Sequence, residues 1–345
     1  MNNKTLYNQN NKQECLKLLN NEKFSRETVS FYKYSKLENL TKIRNELFLS
    51  FNELKILGRI YLAKEGINAQ VSIPKQNIDE FKKILHSYKP FKKLSFKKAY
   101  VEGLSFLKLT IKIKNEIVAY KISEKEWDLS KTGKHLNAKE FNNAIDDGAI
   151  IIDMRNYYEG EIGKFENAII PDVERSQDLL PEVKKILDNH KNDKILMYCT
   201  GGIRCEKASA YLIHHGFNDV NQLTGGIINY AHEIKKNHLK SKFIGKNFVF
   251  DHRMGEKITE DIIANCHQCN TPADTHRNCK NQCCHILFIQ CNDCNKKLNG
   301  CCSKKCAEFI LLPEKKQKEL FKKNKIQFTA QKTKNIKPKL TEFNN

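Results

Sequence analysis

Ile195-Leu196-Met197-Tyr198-Cys199-Thr200-Gly201-Gly202-Ile203-Arg204-Cys205 is an apolar run that ends at a cysteine, turns through two glycines and continues as an amphipathic stretch. Ile195–Cys199 (ILMYC) predicts a strand, and Cys205 to Gly216 predicts a helix. A cysteine between the two stands above a strand end. It faces the backbone N–H groups of the loop and the positive end of a helix dipole, and both favour the thiolate, which is the nucleophile. Gly201 and Gly202 let the loop of Thr200 to Ile203 curl with its amides turned toward an anion. Arg204 adds a positive charge. The plainer reading is a structural cysteine before a glycine turn. Strand, Cys, Gly-Gly, Arg and helix in succession favour function.

Outward from this loop, short apolar strands alternate with amphipathic helices. A helix is predicted near Ala138–Ala144, a strand at Ala149–Asp153 (AIIID), a helix near Leu180–Asn189, a strand at Val220–Leu223 and a strand-to-helix turn at Gly225-Gly226-Ile227. This is an α/β domain with a mostly parallel sheet, whose active site belongs at the C-terminal strand ends. Asp153 and Arg155 close the strand beside the cysteine loop. They either position the loop or substrate, or form an ion pair that knits strand ends. Cys205 either resolves an oxidised Cys199 or is packed. N-terminal to this domain, Val29–Tyr34, Leu37–Lys55, Arg59–Ala63, Ala69–Ile73, Asn77–Tyr88 and Phe106–Ile113 read as β-α-β-β-α-β. That order is ferredoxin-like, an antiparallel sheet with helices on one face. The expected fold class is therefore α/β and α+β multidomain. A polar extension (1–28) precedes the ferredoxin-like domain (29–126), a polar linker covers Trp127–Leu136, and the α/β domain (137–237), a Cys-rich segment (238–312) and a basic tail (313–345) follow.

The formal charge is +20, from 60 Lys and Arg against 40 Asp and Glu. Such an excess suits a polyanionic partner, because neutralised phosphates release counterions, though a Lys-rich vocabulary gives the same balance. The basic surface candidates are Lys82, Lys83, Lys92, Lys93, Lys97 and Lys98, together with the tail after Pro313, which has ten Lys and three acids. The tail is expected to be solvated, or else an RNA-contacting arm. Met1 to Lys12 is polar and resembles no signal peptide, and no run approaches the ~18 apolar residues of a membrane span. A cytoplasmic, reducing setting is expected.

Ten of the thirteen cysteines fall between Cys266 and Cys306. In a reducing compartment, clustered thiols hold metal or do chemistry more often than they pair as disulfides. Cys266-x-x-Cys269 and Cys291-x-x-Cys294 have the spacing with which two thiolates grip one tetrahedral ion. With Cys279, Cys283, Cys301 and Cys306 they make two four-sulfur sets. Cys284 and Cys302, with His267, His276 and His285, are further candidates. Structural zinc is the favoured ligand, since a short polar segment needs a staple. An iron–sulfur cluster and a metal-free thiol relay stay open.

Four residues separate Cys199 from Arg204. Cysteine-dependent phosphatases use a longer loop that wraps a phosphate. The shorter one resembles that of rhodanese-type sulfurtransferases and suits a persulfide sulfur. Ile150-Ile151-Ile152-Asp153-Met154-Arg155, Glu159, Gly163 and Thr224-Gly225-Gly226-Ile227 also resemble rhodanese landmarks. Lys164 departs from them, standing where a His is common.

The likeness extends further. Val29–Tyr34 (VSFYKY), Gly66-Ile67-Asn68-Ala69-Gln70, Asp153-Met154-Arg155-Asn156, Cys199–Ala210 (CTGGIRCEKASA), Phe243–Phe250 (FIGKNFVF) and Cys266-His267-Gln268-Cys269 resemble the bacterial tRNA uridine hydroxylase family, from about residue 25 to 312. The resemblance implies an oxidoreductase that uses molecular oxygen to hydroxylate the wobble uridine at C5, giving 5-hydroxyuridine. It implies a persulfide-forming Cys199 as the catalytic residue, and tRNA at its anticodon region as the partner. No membrane partner is expected, and no stable protein partner is inferable from the sequence. Either thiolate addition at C6 or a sulfur-borne reactive atom on Cys199 meets the chemistry. No facial triad, flavin fingerprint or haem motif names the oxygen-activating agent. The rivals are a plain sulfurtransferase and a non-catalytic RNA-binding module.

Overall fold

The computed structural model describes residues 6–173, 175–324 and 340. A short helix α1 (Lys12–Asn20) leads into β1 (Arg26–Tyr34), α2 (Leu40–Glu53), β2 (Leu57–Ala63), β3 (Gly66–Pro74) and α3 (Ile78–Ser87). Alternate residues of the strands, among them Val29, Phe31, Ile60, Leu62, Ile67 and Ala69, are buried against Leu47, Phe51, Phe81 and Leu85 of the two helices. The period of two leaves the opposite sheet face without that helical cover.

The closing strand differs from expectation. β4 (Lys97–Lys98) pairs antiparallel with β1 and takes the fourth ferredoxin-like position. β5 (Leu109–Ile113) lies instead at the far edge, parallel to β2, so the sheet order is β4-β1-β3-β2-β5. Two residues carry no periodicity, and an alternating apolar and basic run suits either edge. The sequence around 97–113 therefore could not choose between them.

The second unit comprises β6 (Lys134–Leu136), α4 (Ala138–Asp146), β7 (Ile150–Asp153), α5 (Tyr157–Gly160), β8 (Gly163–Phe165), α6 (Ser176–Ile186), β9 (Lys194–Tyr198), α7 (Ile203–His214), β10 (Asp219–Leu223) and α8 (Gly226–Asn237). Its parallel sheet runs β6-β10-β9-β7. The unbroken apolar run of β9 follows from burial on both faces. Ile195, Met197 and Cys199 pack on the side of α6 and α7, and Leu196 and Tyr198 on the side of α4 and α8. Lys134–Leu136, expected within the linker, is instead an edge strand paired with β10. Leu136 is its one buried side chain, too little for a pattern.

β11 (Phe243–Asn247) pairs with β8 and with β12 (Glu256–Lys257), which stitches the C-terminal segment to the α/β unit. Beyond it come the hairpin β13 (His276–Asn278) and β14 (Leu287–Ile289), then α9 (Asn292–Lys297) and α10 (Lys304–Phe309). The tail expected to be solvated starts as a helix, α11 (Glu314–Asn324). Its remainder, apart from residue 340, lies outside the described residues. No helix among the described residues is long and apolar enough to cross a membrane.

The two sheets meet at α7. Lys207 is 1% exposed and donates to Glu65 (3.1 Å) and Glu116 (2.8 Å) of the N-terminal unit, with its ammonium 4.5 Å from the Trp127 ring centroid. A buried ammonium is tolerable only when paired in this way.

Candidate active site

Cys199 stands one residue beyond β9, at the foot of α7. Gly202, the N-cap of that helix, has φ +94°, and its N–H donates to Cys199 Sγ at 3.1 Å. Gly226, with φ +69°, is equally constrained: a Cβ there would lie 2.5 Å from the Cys199 carbonyl oxygen. Gly201 corrects the expectation that both loop glycines serve the curl. It has no left-handed backbone, and a Cβ there would meet nothing within 4 Å, so its small size leaves the space before the thiol open.

Burial pushes the Cys199 thiol up. A hydrogen bond from Cys205, the charge of Arg204 and the N–H groups of Arg204 and Gly202 outweigh it and hold the group down at about 5. Cys205 is itself buried, and burial together with its hydrogen bond to Cys199 raises its thiol well above the ordinary range. It is thus packed as a neutral donor against a thiolate. At neutral pH Cys199 is ionised, as a nucleophile requires.

The Arg204 guanidinium lies against Glu159, donating Nη1 to Oε1 at 2.6 Å and Nη2 to Oε2 at 2.9 Å. Thr200 Oγ1 also donates to Glu159 (3.3 Å), and the N–H of Asn156 does so at 2.9 Å. Glu159 therefore anchors the rim of the loop. Asp153 and Arg155 sit beneath it, fully buried. Arg155 grips Asp153 through Nε (2.9 Å) and Nη2 (2.7 Å) and reaches the Gly163 carbonyl (2.7 Å), while Tyr198 donates to Asp153 (2.7 Å). This pair ties β7, β8 and β9 together and does not line the cleft.

The cleft above Cys199 has a volume of about 370 Å³. Cys199, Thr200, Gly201, Ile203 and Arg204 form one wall, with Asn156 and Tyr158 beside them. The opposite wall is the uncovered face of the N-terminal sheet, with Tyr32, Arg59, Tyr61, Asn68 and Gln70. Arg253 and Glu256 of the C-terminal segment close one end. Tyr32 donates to Glu206 (2.9 Å) and Tyr34 to the Ile203 carbonyl (3.3 Å), which docks the sheet on the loop. Tyr32, Asn68 and Gln70 fall in motifs that carry the family resemblance, but the sequence assigned none of the wall residues to the site. Their signal was the polar set alternating with the core set along β1 to β3.

The expected basic patch divides. Lys82 and Lys83 lie on α3, on the covered side of the sheet. Lys98 is paired with Glu27 at 2.7 Å. The Lys97 ammonium stands 4.3 Å from the Tyr32 ring centroid, and burial pulls it down to about 8 against the opposing charges of Cys199 and Glu206.

The C-terminal cysteines form two clusters, Cys266, Cys269, Cys291 and Cys294, and Cys279, Cys284, Cys302 and Cys306. In each, the sulfurs lie within 4.8 Å of one another. Separations of 3.6 Å for Cys269–Cys291 and Cys284–Cys302, and 3.7 Å for Cys302–Cys306, match the ~3.8 Å edge of a tetrahedron with metal–sulfur bonds of about 2.3 Å. The clusters can hold metal ions. Cys284 and Cys302 replace the expected Cys283 and Cys301. In each adjacent pair only one side chain turns into the cluster, and spacing alone cannot tell which.

A parallel sheet that delivers a cysteine into a glycine-capped helix defines a rhodanese-like domain, and the rhodanese-like domain model matches residues 137–233. The UPF0176 acylphosphatase like domain matches 26–117, and the rhodanase C-terminal model 244–307. The chain belongs to the tRNA uridine(34) hydroxylase family. A relative of that name from Leptospira interrogans is 49% identical over 342 residues, covering 98% of this chain and 93% of its own. One from Yersinia enterocolitica is 50% identical over 296 residues, covering 85% of each. Among solved structures, a thiosulfate sulfurtransferase from Pseudomonas aeruginosa is 21% identical over 31% of this chain and 20% of its own, with a TM-score of 0.26.

Proposed function

We propose that this chain hydroxylates uridine 34 of tRNA at C5, in the anticodon loop, with Cys199 as the reactive group. The observation that carries the reading is a thiolate at the base of a cleft walled by tyrosines, amides and arginines, in a chain of this family. A base must leave its stack to be modified, and a cleft of about 370 Å³ suits a flipped pyrimidine.

Replacing C5–H by C5–OH with molecular oxygen removes two electrons from the base. The second oxygen atom leaves as water, which takes two further electrons and two protons from an external donor. Cys199 has two routes. Its thiolate adds at C6, makes C5 electron-rich toward the oxidant, and is expelled as C5 loses its proton; or it carries the oxygen as a sulfenic acid, passes it to C5 and is left as the thiol. With tRNA carrying 5-fluorouridine, a stable Cys199–base adduct marks the first route, and Cys199 free of any bond to the base the second.

We assign structural zinc to both cysteine clusters, because four sulfurs at tetrahedral spacing suit it best and the segment holding them has little core of its own. A reducing, cytoplasmic setting fits a tRNA substrate and thirteen free cysteines. Mass spectrometry of wobble nucleosides from cells with and without the gene tests the function. Loss of 5-hydroxyuridine is expected on deletion. An unchanged nucleoside profile, with thiosulfate-to-cyanide turnover by the purified protein, would establish a sulfurtransferase instead.

A further inference from the structure

The wall opposite Cys199 is two ordered rows of side chains across three strands. In register, Tyr32 pairs with Asn68 and Asn68 with Tyr61; two residues along, Ser30 pairs with Gln70 and Gln70 with Arg59. All six line the cleft. Each row thus places one amide at its centre, flanked by tyrosines in the first row and by Ser30 and Arg59 in the second. Sheet stability asks for none of this, because the core of the unit lies on the other face.

The two amides differ in what they have left to offer. Asn68 Nδ2 donates to the Ile117 carbonyl at 3.2 Å. That bond fixes the amide and leaves Oδ1 as an acceptor with no partner among the described residues. Gln70 makes no side-chain hydrogen bond among the described residues, and Arg59 has no acidic partner among them. An acceptor held between aromatic rings, with an amide donor two residues along, complements the edge of uracil, whose N3–H donor lies between two carbonyls. Cytosine has an acceptor at N3 and would face Asn68 Oδ1 with a lone pair. Single-stranded bases are read in this way, by side chains on an open sheet and hydrogen bonds to the pairing edge.

We propose that Asn68 and Gln70 read the flipped base as uracil, and that Arg59, at the end of the second row, holds its phosphate. This rests on the tRNA hydroxylase reading and names the residues that select its substrate. Asn68 supplies the acceptor for N3–H, Gln70 donates to a flanking carbonyl, and neither takes part in bond making.

The test is binding of the full chain to two anticodon stem–loops that differ only in U or C at the wobble position, measured by fluorescence anisotropy. The wild type is expected to prefer U. Asn68→Ala and Gln70→Ala should each reduce that preference about tenfold with little change for the C loop. Gln70 has no side-chain hydrogen bond among the described residues to lose, so its variant keeps the test valid if Asn68→Ala folds poorly. Arg59→Gln should weaken both loops equally and lower the salt slope by about one. Full preference for U in both amide variants overturns the assignment while leaving the hydroxylase reading standing. No preference in the wild type, with no 5-hydroxyuridine formed, would overturn both.

Discussion

Arg204 and Glu159 form a two-pronged ion pair, at 2.6 and 2.9 Å, on the flank of the cysteine loop, while the backbone N–H of Arg204 serves Cys199. One residue thus does two jobs: its side chain fastens the loop to α5, and its main chain helps to hold a thiolate. Glu159 is fully buried. Burial pushes its carboxyl up, but Arg204 holds it below its ordinary value.

Glu159→Gln should therefore destabilise the fold by about 3 kcal/mol at neutral pH, because it takes the carboxylate from a guanidinium that is only 12% exposed. A carboxyl depressed in the folded state stabilises fully above its unfolded value of about 4.3, and that contribution is lost as pH falls through the folded value. Urea unfolding at pH 7 and at pH 3 checks both parts. The gap between wild type and variant should be wide at the first and narrower at the second.

The ionisation of Cys199 can be read directly. The thiolate absorbance difference between wild type and Cys199→Ser should appear on raising the pH through about 5 and be complete by neutrality. A midpoint near that of an ordinary thiol would show that burial, not the loop, controls this group. Cys205→Ala should move the midpoint upward, since the hydrogen bond from Cys205 is the largest stabilising influence on the thiolate.

Much of this was legible in the sequence. The run from Ile195 to Cys199 read as a strand that delivers its cysteine to a glycine turn, and its burial on both faces is what the structure adds. The amphipathic spacing of α2 and α3 and the turn at Gly66 marked the N-terminal sheet. What escaped was chosen by tertiary pairing. Lys97–Lys98 and Lys134–Leu136 are strands because a neighbouring strand has an edge to satisfy, and neither segment announces it. Cys284 and Cys302 were passed over for Cys283 and Cys301 because adjacent thiols are equivalent until a turn aims one of them. The wall of Arg59, Tyr61, Asn68 and Gln70 became a candidate only when the sheet was seen to close over the cysteine loop.

Replacing Cys266 and Cys269 together should release about one of two bound metal equivalents and loosen the C-terminal segment. Cys284→Ser should release the other, whereas Cys283→Ser should retain both. Elemental analysis of protein purified without chelator decides this. Absence of any metal from the wild type would contradict the zinc assignment.

Affinity for tRNA should fall by several log units per log unit of salt, as phosphates are exchanged for counterions. Changing Lys92, Lys93, Lys97 and Lys98 to Gln should weaken binding, mainly through Lys97, whose ammonium stands over the ring of Tyr32. Deleting residues 314–345 should weaken it modestly and leave catalysis intact. Unchanged binding in the lysine variant would show that these side chains only keep the protein in solution.

The role of Cys199 is tested most directly by nucleoside mass spectrometry of tRNA from cells whose own gene is replaced by the Cys199→Ser variant. A serine hydroxyl at the end of β9 preserves shape but lacks the ionisation and soft nucleophilicity of the thiol. Loss of 5-hydroxyuridine is expected, with protein level and metal content unchanged. Retention of even a tenth of the wild-type modification would contradict Cys199 as the reactive group.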